Sequence, residues 1–394
     1  MLDYLSERFI TLISNFNIEY KRYLFDLVNF NDKLIGVLGP RGAGKTTFLL
    51  QYLKNLDLPI DKKLYFSADS IEVSDVTLFE IANDFAKNDG AILIIDEIHK
   101  YPNFEKDLKQ IYDFLPLKVI FSGSSAVNLE NSKSDLSRRA VLYRINGLSF
   151  REFLELKTKN KYKTYKIEEI LNNHTEIAYE ILQGIKPLKL FKEYLQKGFY
   201  PFYFENPDTY FKKLEETINV VIESDLPFVF GVDAKNTIKL KKLVKLICQS
   251  EPFEINITKL AQKMEMDRAT LYQYISYLSQ GNIFNILKSK TRGDSIFVKP
   301  EKIYLHNTNL NYCYCDGQKI GTIRETFIVS QFIYIHDIEY PKKGDLILDK
   351  KYIFEIGGKN KDSSQIKDGG YLILDDIEIG SKRKIPMWLF GFLY

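Results

Sequence analysis

The stretch Leu34-Ile35-Gly36-Val37-Leu38-Gly39-Pro40-Arg41-Gly42-Ala43-Gly44-Lys45-Thr46-Thr47-Phe48-Leu49-Leu50 decides the fold. Residues Gly39 to Thr46 fit the pattern G-x-x-x-x-G-K-[ST]. The flanks give the pattern its weight. Leu34 to Leu38 is a short apolar run that reads as a buried strand, and Thr47 to Leu53 reads as a helix. Strand, glycine-rich loop, helix is the order of a phosphate-binding loop. The glycines let backbone N–H groups curl around phosphate oxygens, and the helix start adds partial positive charge. Gly39, Pro40, Arg41, Gly42, Ala43, Gly44, Lys45, Thr46 and Thr47 are therefore the candidate nucleotide-binding residues. Lys45 would reach the outer phosphates and act in catalysis, and the Thr46 hydroxyl would hold Mg²⁺.

Downstream, Ala91-Ile92-Leu93-Ile94-Ile95-Asp96-Glu97 is an apolar run ending in an acidic pair. It reads as a buried parallel strand whose carboxyl end carries carboxylates, where open α/β sheets bind their ligands. Asp96 is expected in the Mg²⁺ shell, and Glu97 is expected to polarise an attacking water. Lys118-Val119-Ile120-Phe121-Ser122-Gly123-Ser124-Ser125 reads as another buried strand, ending in hydroxyls. Ser124, with Ser122 as the alternative, is the candidate contact to the γ-phosphate or the water. A small-residue turn is the other reading.

Taken in this order, the loop, Ile92 to His99, and Phe121 to Ser125 resemble a prokaryotic AAA+-type ATPase. Ser137-Arg138-Arg139-Ala140 and Leu148-Ser149-Phe150-Arg151-Glu152-Phe153-Leu154 are similar to the Leu-x-Gly-Arg and Leu-Ser-Phe-x-Glu-Phe segments of the archaeal-type branch. The resemblance implies an α/β P-loop NTPase fold with a parallel sheet, ATP and Mg²⁺ as cofactors, and ADP as a product. It also implies that Arg139 senses or stabilises the nucleotide's charge, in its own site or a neighbour's. Arg138 stands where the family usually has glycine, and a surface arginine pair is the alternative reading. The resemblance leaves oligomer formation open. No Asn-Lys-x-Asp signature occurs at a guanine-reading position, since Asn360-Lys361-Asp362-Ser363 has the wrong spacing. Adenine is expected on the resemblance.

Residues 1–156 form the expected ATPase domain, and 157–234 a helical linker or lid. Its first ten residues are polar and basic. Gly198-Phe199-Tyr200-Pro201 is a turn similar to the Gly-Gly-x-Pro segment of the same family. His174 reads as a solvated side chain. Residues 235–299 read as a winged helix-turn-helix. Ile238 to Cys248, Thr258 to Met264 and Arg268 to Gln280 are its helices, the third capped by Asp267 and stopped at Gly281. Leu271, Ile275 and Leu278 share the core face. Ile283 to Ser289, a turn at Thr291-Arg292-Gly293-Asp294, and Ser295 to Val298 would form the wing. Lys241, Lys242, Arg268, Tyr272, Gln273 and Arg292 are the candidate DNA contacts. Residues 235–302 contain 13 Lys plus Arg against 6 Asp plus Glu, a surplus of +7. Contact to DNA phosphates and contact to a protein partner both remain open.

Residues 300–394 resemble the restriction-endonuclease-like domain commonly fused to these ATPases. The resemblance implies a carboxylate set of Glu325 on a helix and Asp345 and Glu355 on strands. Such nucleases place a lysine two residues after the last Glu, on the same strand face. Here that position is Gly357, and Lys359 lies beyond Gly357-Gly358. The resemblance therefore implies a degenerate nuclease site and a domain kept for recognition or packing. His306 and His336 read as core or surface residues.

At 394 residues the chain is long enough for about two to four domains. Hydrophobic residues make up 45% and charged residues 27%, a globular balance. A net charge of +3 excludes a uniformly basic coat protein and an acidic tail protein. The three cysteines, Cys248, Cys313 and Cys315, are odd in number and contain no C-x-x-C pair. A disulfide framework or a zinc site is therefore not expected, and a reducing, cytoplasmic setting is. No run of about eighteen apolar residues appears, so no membrane span is expected. Met1 to Ile10 contains Asp3, Glu7 and Arg8 and lacks the character of a signal peptide. The apolar stretch Ile385 to Tyr394 reads as a last buried strand. The leading expectation is a Mg²⁺-dependent ATPase acting as a switch or remodeller. An ATP-gated DNA nuclease and a nucleotide-gated regulator with a protein partner are the alternatives.

Overall fold

The computed structural model describes residues 1–73, 75–124, 135–249, 256–288, 300–317, 319–341, 343–362 and 369–394. It divides into two units, one of Met1–Gly147 with Phe228–Gly231 and one of Leu148–Pro227 with Val232–Tyr394. Among the described residues no helix is long and apolar enough to cross a membrane.

The first unit runs α1 (Leu2–Ser14), β1 (Leu34–Gly39), α2 (Lys45–Asn55), β2 (Lys63–Ser67), α3 (Leu78–Lys87), β3 (Ile92–Asp96), α4 (Phe104–Phe114), β4 (Lys118–Ser124) and β5 (Val141–Arg144). Its strands make one parallel sheet in the order β2-β3-β4-β1-β5. The inner strands are apolar throughout because both faces are covered. Their side chains alternate between two layers. Leu34, Leu93, Ile95 and Phe121 pack with α3 and α4, while Ile35, Val37, Ile94 and Ile120 pack with Phe48, Leu49 and Leu53 of α2. The α3 helix opens with a capping box, in which the Glu80 N–H donates to Thr77 Oγ1 at 3.1 Å and the Thr77 N–H to Glu80 Oε2 at 2.9 Å. With β4 seated between β1 and β3, the loop after β1 and the ends of β3 and β4 come to one edge of the sheet.

The second unit begins with α5 (Phe150–Thr158), α6 (Ile167–Leu182), α7 (Pro187–Lys197) and α8 (Tyr210–Val220). A π-helical turn at Val221–Asp225 leads into α9 (Leu226–Phe230), whose residues from Phe228 onward count with the first unit. Then follow α10 (Ala234–Gln249), α11 (Ile257–Met264), α12 (Arg268–Gln280), β6 (Phe284–Lys288), β7 (Pro300–Leu305), α13 (Thr308–Tyr314) and α14 (Ile320–Phe332). The chain ends with β8 (Ile338–Glu339), β9 (Leu346–Leu348), β10 (Tyr352–Gly358), β11 (Tyr371–Asp375) and β12 (Lys384–Pro386). These five strands form a mixed sheet ordered β12-β11-β10-β9-β8, parallel from β10 to β12 and antiparallel on the β9 side.

Asp267 caps α12 by accepting the Thr270 N–H at 2.9 Å, and Leu271, Ile275 and Leu278 are buried. The expected turn at Thr291 to Asp294 and return strand at Ser295 to Val298 lie outside the described residues. The described partner of β6 is β7, paired antiparallel, so the pairing continues past residue 300. The apolar residues Ile303 and Leu305 pair with Ile286 and Phe284.

Three expectations are corrected. His174 is not solvated: it is 3% exposed, with Nε2 3.0 Å from the Lys382 carbonyl oxygen. It falls at helical spacing with Ile170, Ile177 and Ile181, the buried face of α6. Ile385 to Tyr394 is not one strand. After β12 the chain coils into a 3₁₀ turn at Met387–Phe392 that buries Trp388, Leu389, Phe390 and Phe392 together. A strand offers these neighbours only two alternating faces, and Pro386 has no N–H with which to extend the ladder. Cys248 and Cys315 are joined in a disulfide, with Cα atoms 5.1 Å apart, leaving Cys313 as the free thiol. The packing of α10 and α13 brings together residues separated by 67 positions, which an odd count without C-x-x-C does not reveal.

Candidate nucleotide site

The loop after β1 takes its shape from two glycines. Gly42 (φ 80°) and Gly44 (φ 93°) adopt left-handed backbone conformations that side chains disfavour, and α2 starts directly after Gly44. Arg22 holds the loop from behind. Its buried guanidinium donates to the Ala43 carbonyl at 2.8 Å and to the Asn146 and Gly147 carbonyls, both at 2.9 Å. Lys45 is also buried and folds back, with Nζ 3.2 Å from the Gly39 and Pro40 carbonyl oxygens.

Asp96, at the end of β3, is 2% exposed and accepts four hydrogen bonds. Thr46 Oγ1 donates to its Oδ2 at 2.6 Å, and the Tyr65 hydroxyl of β2 to the same oxygen at 2.8 Å. The other oxygen, Oδ1, accepts the Glu97 N–H at 3.0 Å and the Ser122 hydroxyl of β4. Burial, and then the nearby Asp96 charge, hold the Tyr65 hydroxyl well above the usual phenol range, which keeps it a donor.

Glu97 follows the strand with φ 51°, a left-handed conformation. Its N–H is shared between Asp96 and Ser122 Oγ, the latter at 3.1 Å, and its carboxylate is partly exposed. His99 Nδ1 accepts the Ser124 N–H at 3.2 Å and lies 3.4 Å from Glu97 Oε2. An Nδ1 that accepts is unprotonated, so this contact belongs to the neutral Nε2–H tautomer.

The fold thus gathers Lys45, Thr46, Asp96, Glu97 and Ser122, with Ser124 linked to Glu97 through His99. Arg139 is engaged elsewhere in the unit: Nε lies 2.8 Å from Asp113 Oδ1 and Nη2 2.9 Å from Asp113 Oδ2, a bidentate pair at the end of α4. Sequence reasoning missed Arg22, Tyr65 and His99. Tyr65 carried a signal: on the neighbouring strand β2 it pairs with Ile94, which shares a face with Asp96. The hydroxyl and carboxylate oxygens of Thr46 and Asp96, in contact at the loop, fit a hard divalent cation such as Mg²⁺.

The other candidates lie in the second unit. On α12, Arg268 and Gln273 are exposed and Tyr272 half-buried. On α10, Lys242 is exposed and Lys241 pairs with Glu223 at 2.5 Å. Arg292 lies outside the described residues. Glu325, Asp345 and Glu355 come from α14, the residue preceding β9 by one, and β10. Lys361, not Lys359, reaches Glu355, with Nζ 2.9 Å from Oε1. A Cβ at Gly357 would lie 2.5 Å from Lys361 Cβ, so glycine here leaves room for that lysine. Among the described residues, no group of three or more His, Cys, Asp or Glu is arranged to hold a metal ion. His306 Nε2 lies 2.7 Å from the Tyr334 hydroxyl, and His336 Nδ1 lies 2.8 Å from Asp349 Oδ2.

Residues 31–154 match the family described as an AAA domain, and residues 188–316 match a domain of unknown function (DUF8612). The chain is 28% identical over 433 aligned positions to an uncharacterised protein of Methanocaldococcus jannaschii, covering 97% of this chain and 91% of that protein. A second uncharacterised protein of the same organism is 24% identical over 358 positions, covering 85% and 74%. Among solved structures, a signal transduction ATPase with numerous domains carrying a tetratricopeptide repeat sensor, from Pyrococcus horikoshii, aligns at a TM-score of 0.28 and 13% identity. That alignment covers 80% of this chain, which spans only 45% of the solved one. Residues 31–154 are thus similar to an AAA domain, and the five-stranded parallel sheet with its glycine loop supports a P-loop NTPase fold for them.

Proposed function

We propose that the AAA-type domain binds and hydrolyses ATP with Mg²⁺ and uses the cycle to drive a conformational switch or a remodelling step. The observation that carries this is the 2.6 Å contact between Thr46 Oγ1 and Asp96 Oδ2, which joins the phosphate loop to the acidic strand end. Thr46 and Asp96 would hold the ion, which when bound neutralises charge on the phosphates. Lys45 would leave the Gly39 and Pro40 carbonyls for the phosphate oxygens. Glu97 is the base: its backbone is pinned by Asp96 and Ser122, while its partly exposed carboxylate can take a proton from water. Ser122 orients Asp96, and Ser124 acts through His99. Adenine rather than guanine rests on the family resemblance.

We divide the chain as ATPase 1–156, helical lid 157–234, winged helix 235–299 and nuclease-like domain 300–394. The capped α12, its exposed Arg268 and Gln273, and the basic surplus of 235–302 favour double-stranded DNA as the partner.

Glu97→Gln tests the catalytic assignment. The variant should bind ATP as the wild type does and lose turnover by about 100-fold or more. Hydrolysis at the wild-type rate would show that Glu97 is not the base.

A further inference from the structure

Helix α10 (Ala234–Gln249) contains five lysines, Lys235, Lys239, Lys241, Lys242 and Lys245, and no carboxylate. Four of them are sorted onto one face. Lys235, Lys239, Lys242 and Lys245 follow one another at helical spacing, within about a third of the helix circumference. All four are exposed, and among the described residues none of them makes an ion pair, whereas Lys241 on the flank pairs with Glu223. The opposite face is taken. Leu240, Leu243, Val244 and Ile247 are buried, and Cys248 is bonded to Cys315 just past α13. The lysine face is therefore the outward one, on a helix fixed in place.

Such a face is unfavourable for the chain alone. Lys235 stands in the first turn, where the helix dipole disfavours cations, and like charges three and four residues apart repel. No carboxylate of α10 offsets them, but a polyanion would. From Lys235 to Lys245 the charges cover about 15 Å of helix axis at about 1.5 Å per residue. One strand of a DNA duplex carries a phosphate about every 3.4 Å along its axis, so the face matches a run of about four phosphates. A protein partner fits less well. Lysine is depleted from protein–protein interfaces, and α10 exposes a single large apolar residue, Ile238, too little for the apolar centre such an interface needs. Helix α12 offers less charge, since Arg268 is its one cation.

We propose that α10, through Lys235, Lys239, Lys242 and Lys245, is the surface on which this chain holds the phosphate backbone of duplex DNA. Ammonium groups act as point charges and phosphate contacts carry no base information, so this binding is independent of sequence. The proposal rests on the reading of duplex DNA as the partner, and it moves the main contact from α12 to α10.

The test is fluorescence anisotropy of two labelled duplexes of equal length and unrelated sequence, titrated with the full-length chain over a range of salt. Lys239→Gln/Lys245→Gln removes two charges from α10, and Lys259→Gln/Lys263→Gln removes two exposed charges from α11. The two variants have the same net charge and differ only in where it was lost. The wild type should bind both duplexes with equal affinity. The α10 variant should bind more weakly, with a log–log salt slope shallower by about 1.8, at about 0.9 for each lost phosphate contact. The α11 variant should keep the wild-type slope, and both should keep the wild-type melting temperature. Equal weakening by the two variants would overturn the proposal, because total charge rather than α10 would then hold the duplex. A wild-type slope in the α10 variant would also overturn it, while leaving duplex DNA as a partner bound elsewhere. A marked preference for one duplex would do the same, since it requires base contacts. Absence of duplex binding by the wild type at low salt would remove both the proposal and the reading it rests on, and an acidic protein would take the place of DNA.

Discussion

The oxygens of Asp96, proposed to hold the ion, are already oriented. Thr46, Tyr65, Ser122 and the Glu97 N–H each give it one hydrogen bond, from the loop and from three adjacent strand ends or strands. Tyr65 is the member whose loss isolates this role, because phenylalanine keeps the ring and removes only the hydroxyl. A hydrogen bond to a charged acceptor contributes about 1.5–3 kcal/mol. Tyr65→Phe should therefore lower unfolding stability by about 2 kcal/mol in urea denaturation, with an unchanged slope. An unchanged midpoint would mean that the hydroxyl does not hold Asp96. At this scale legibility followed chain contiguity. Gly39 to Thr46 and Asp96-Glu97 stand as runs, whereas Tyr65, Arg22 and His99 reach the site across strands or loops. The sequence near Ser122 and Ser124 could not separate the two hydroxyls. In the structure the Ser122 hydroxyl reaches Asp96, and the Ser124 N–H turns to His99.

At the scale of elements, the segment Leu148 to Leu154 has a physical reason for its residues beyond any resemblance. Ser149 and Glu152 form a buried capping box at the start of α5, each backbone N–H 3.2 Å from the other's side chain. The Ser149 hydroxyl also donates to the Tyr394 carbonyl at 2.7 Å, tying α5 to the last residue. Phe150 and Phe153 then enter the aromatic core beside Phe191 and Tyr194. Ser149→Ala removes both roles at a site closed to water. We expect a loss of about 1–2 kcal/mol in urea denaturation, while nucleotide affinity, which we assign to Lys45 and Thr46, should stay as in the wild type. A stability loss below about 0.5 kcal/mol would show that the cap is not needed. Elements with strong local signals were legible: α12 has its Asp267 cap and its apolar stripe. Elements whose course depends on distant packing were not. The partner of β6, the coil at Met387–Phe392 and the Cys248–Cys315 bond are each decided by residues far away in the chain.

For the whole molecule, charge is the property that separates the candidate partners. The total of +3 combines a surplus of +7 over residues 235–302 with −4 over the rest, so a near-neutral chain still carries a basic segment. Two of its cations already have partners within the chain: Lys302 is buried against Glu325 and Asp345, and Lys241 pairs with Glu223 at the surface. The remaining candidates on described helices are Lys242 and Arg268, both exposed. If DNA is the partner, duplex DNA should raise the ATPase rate at low salt. Stimulation should decline steeply as salt rises, because each phosphate contact releases counterions. The Lys242→Ala/Arg268→Ala variant should bind duplex DNA more weakly, with a log–log salt slope shallower by up to about 1.8, since each lost contact contributes about 0.9. A protein partner predicts neither effect, because Lys242 and Arg268 would then serve a surface that free DNA does not occupy. An ATPase rate indifferent to duplex DNA at low ionic strength, together with an unaltered salt slope in the double variant, would remove DNA as the partner and leave a protein in its place.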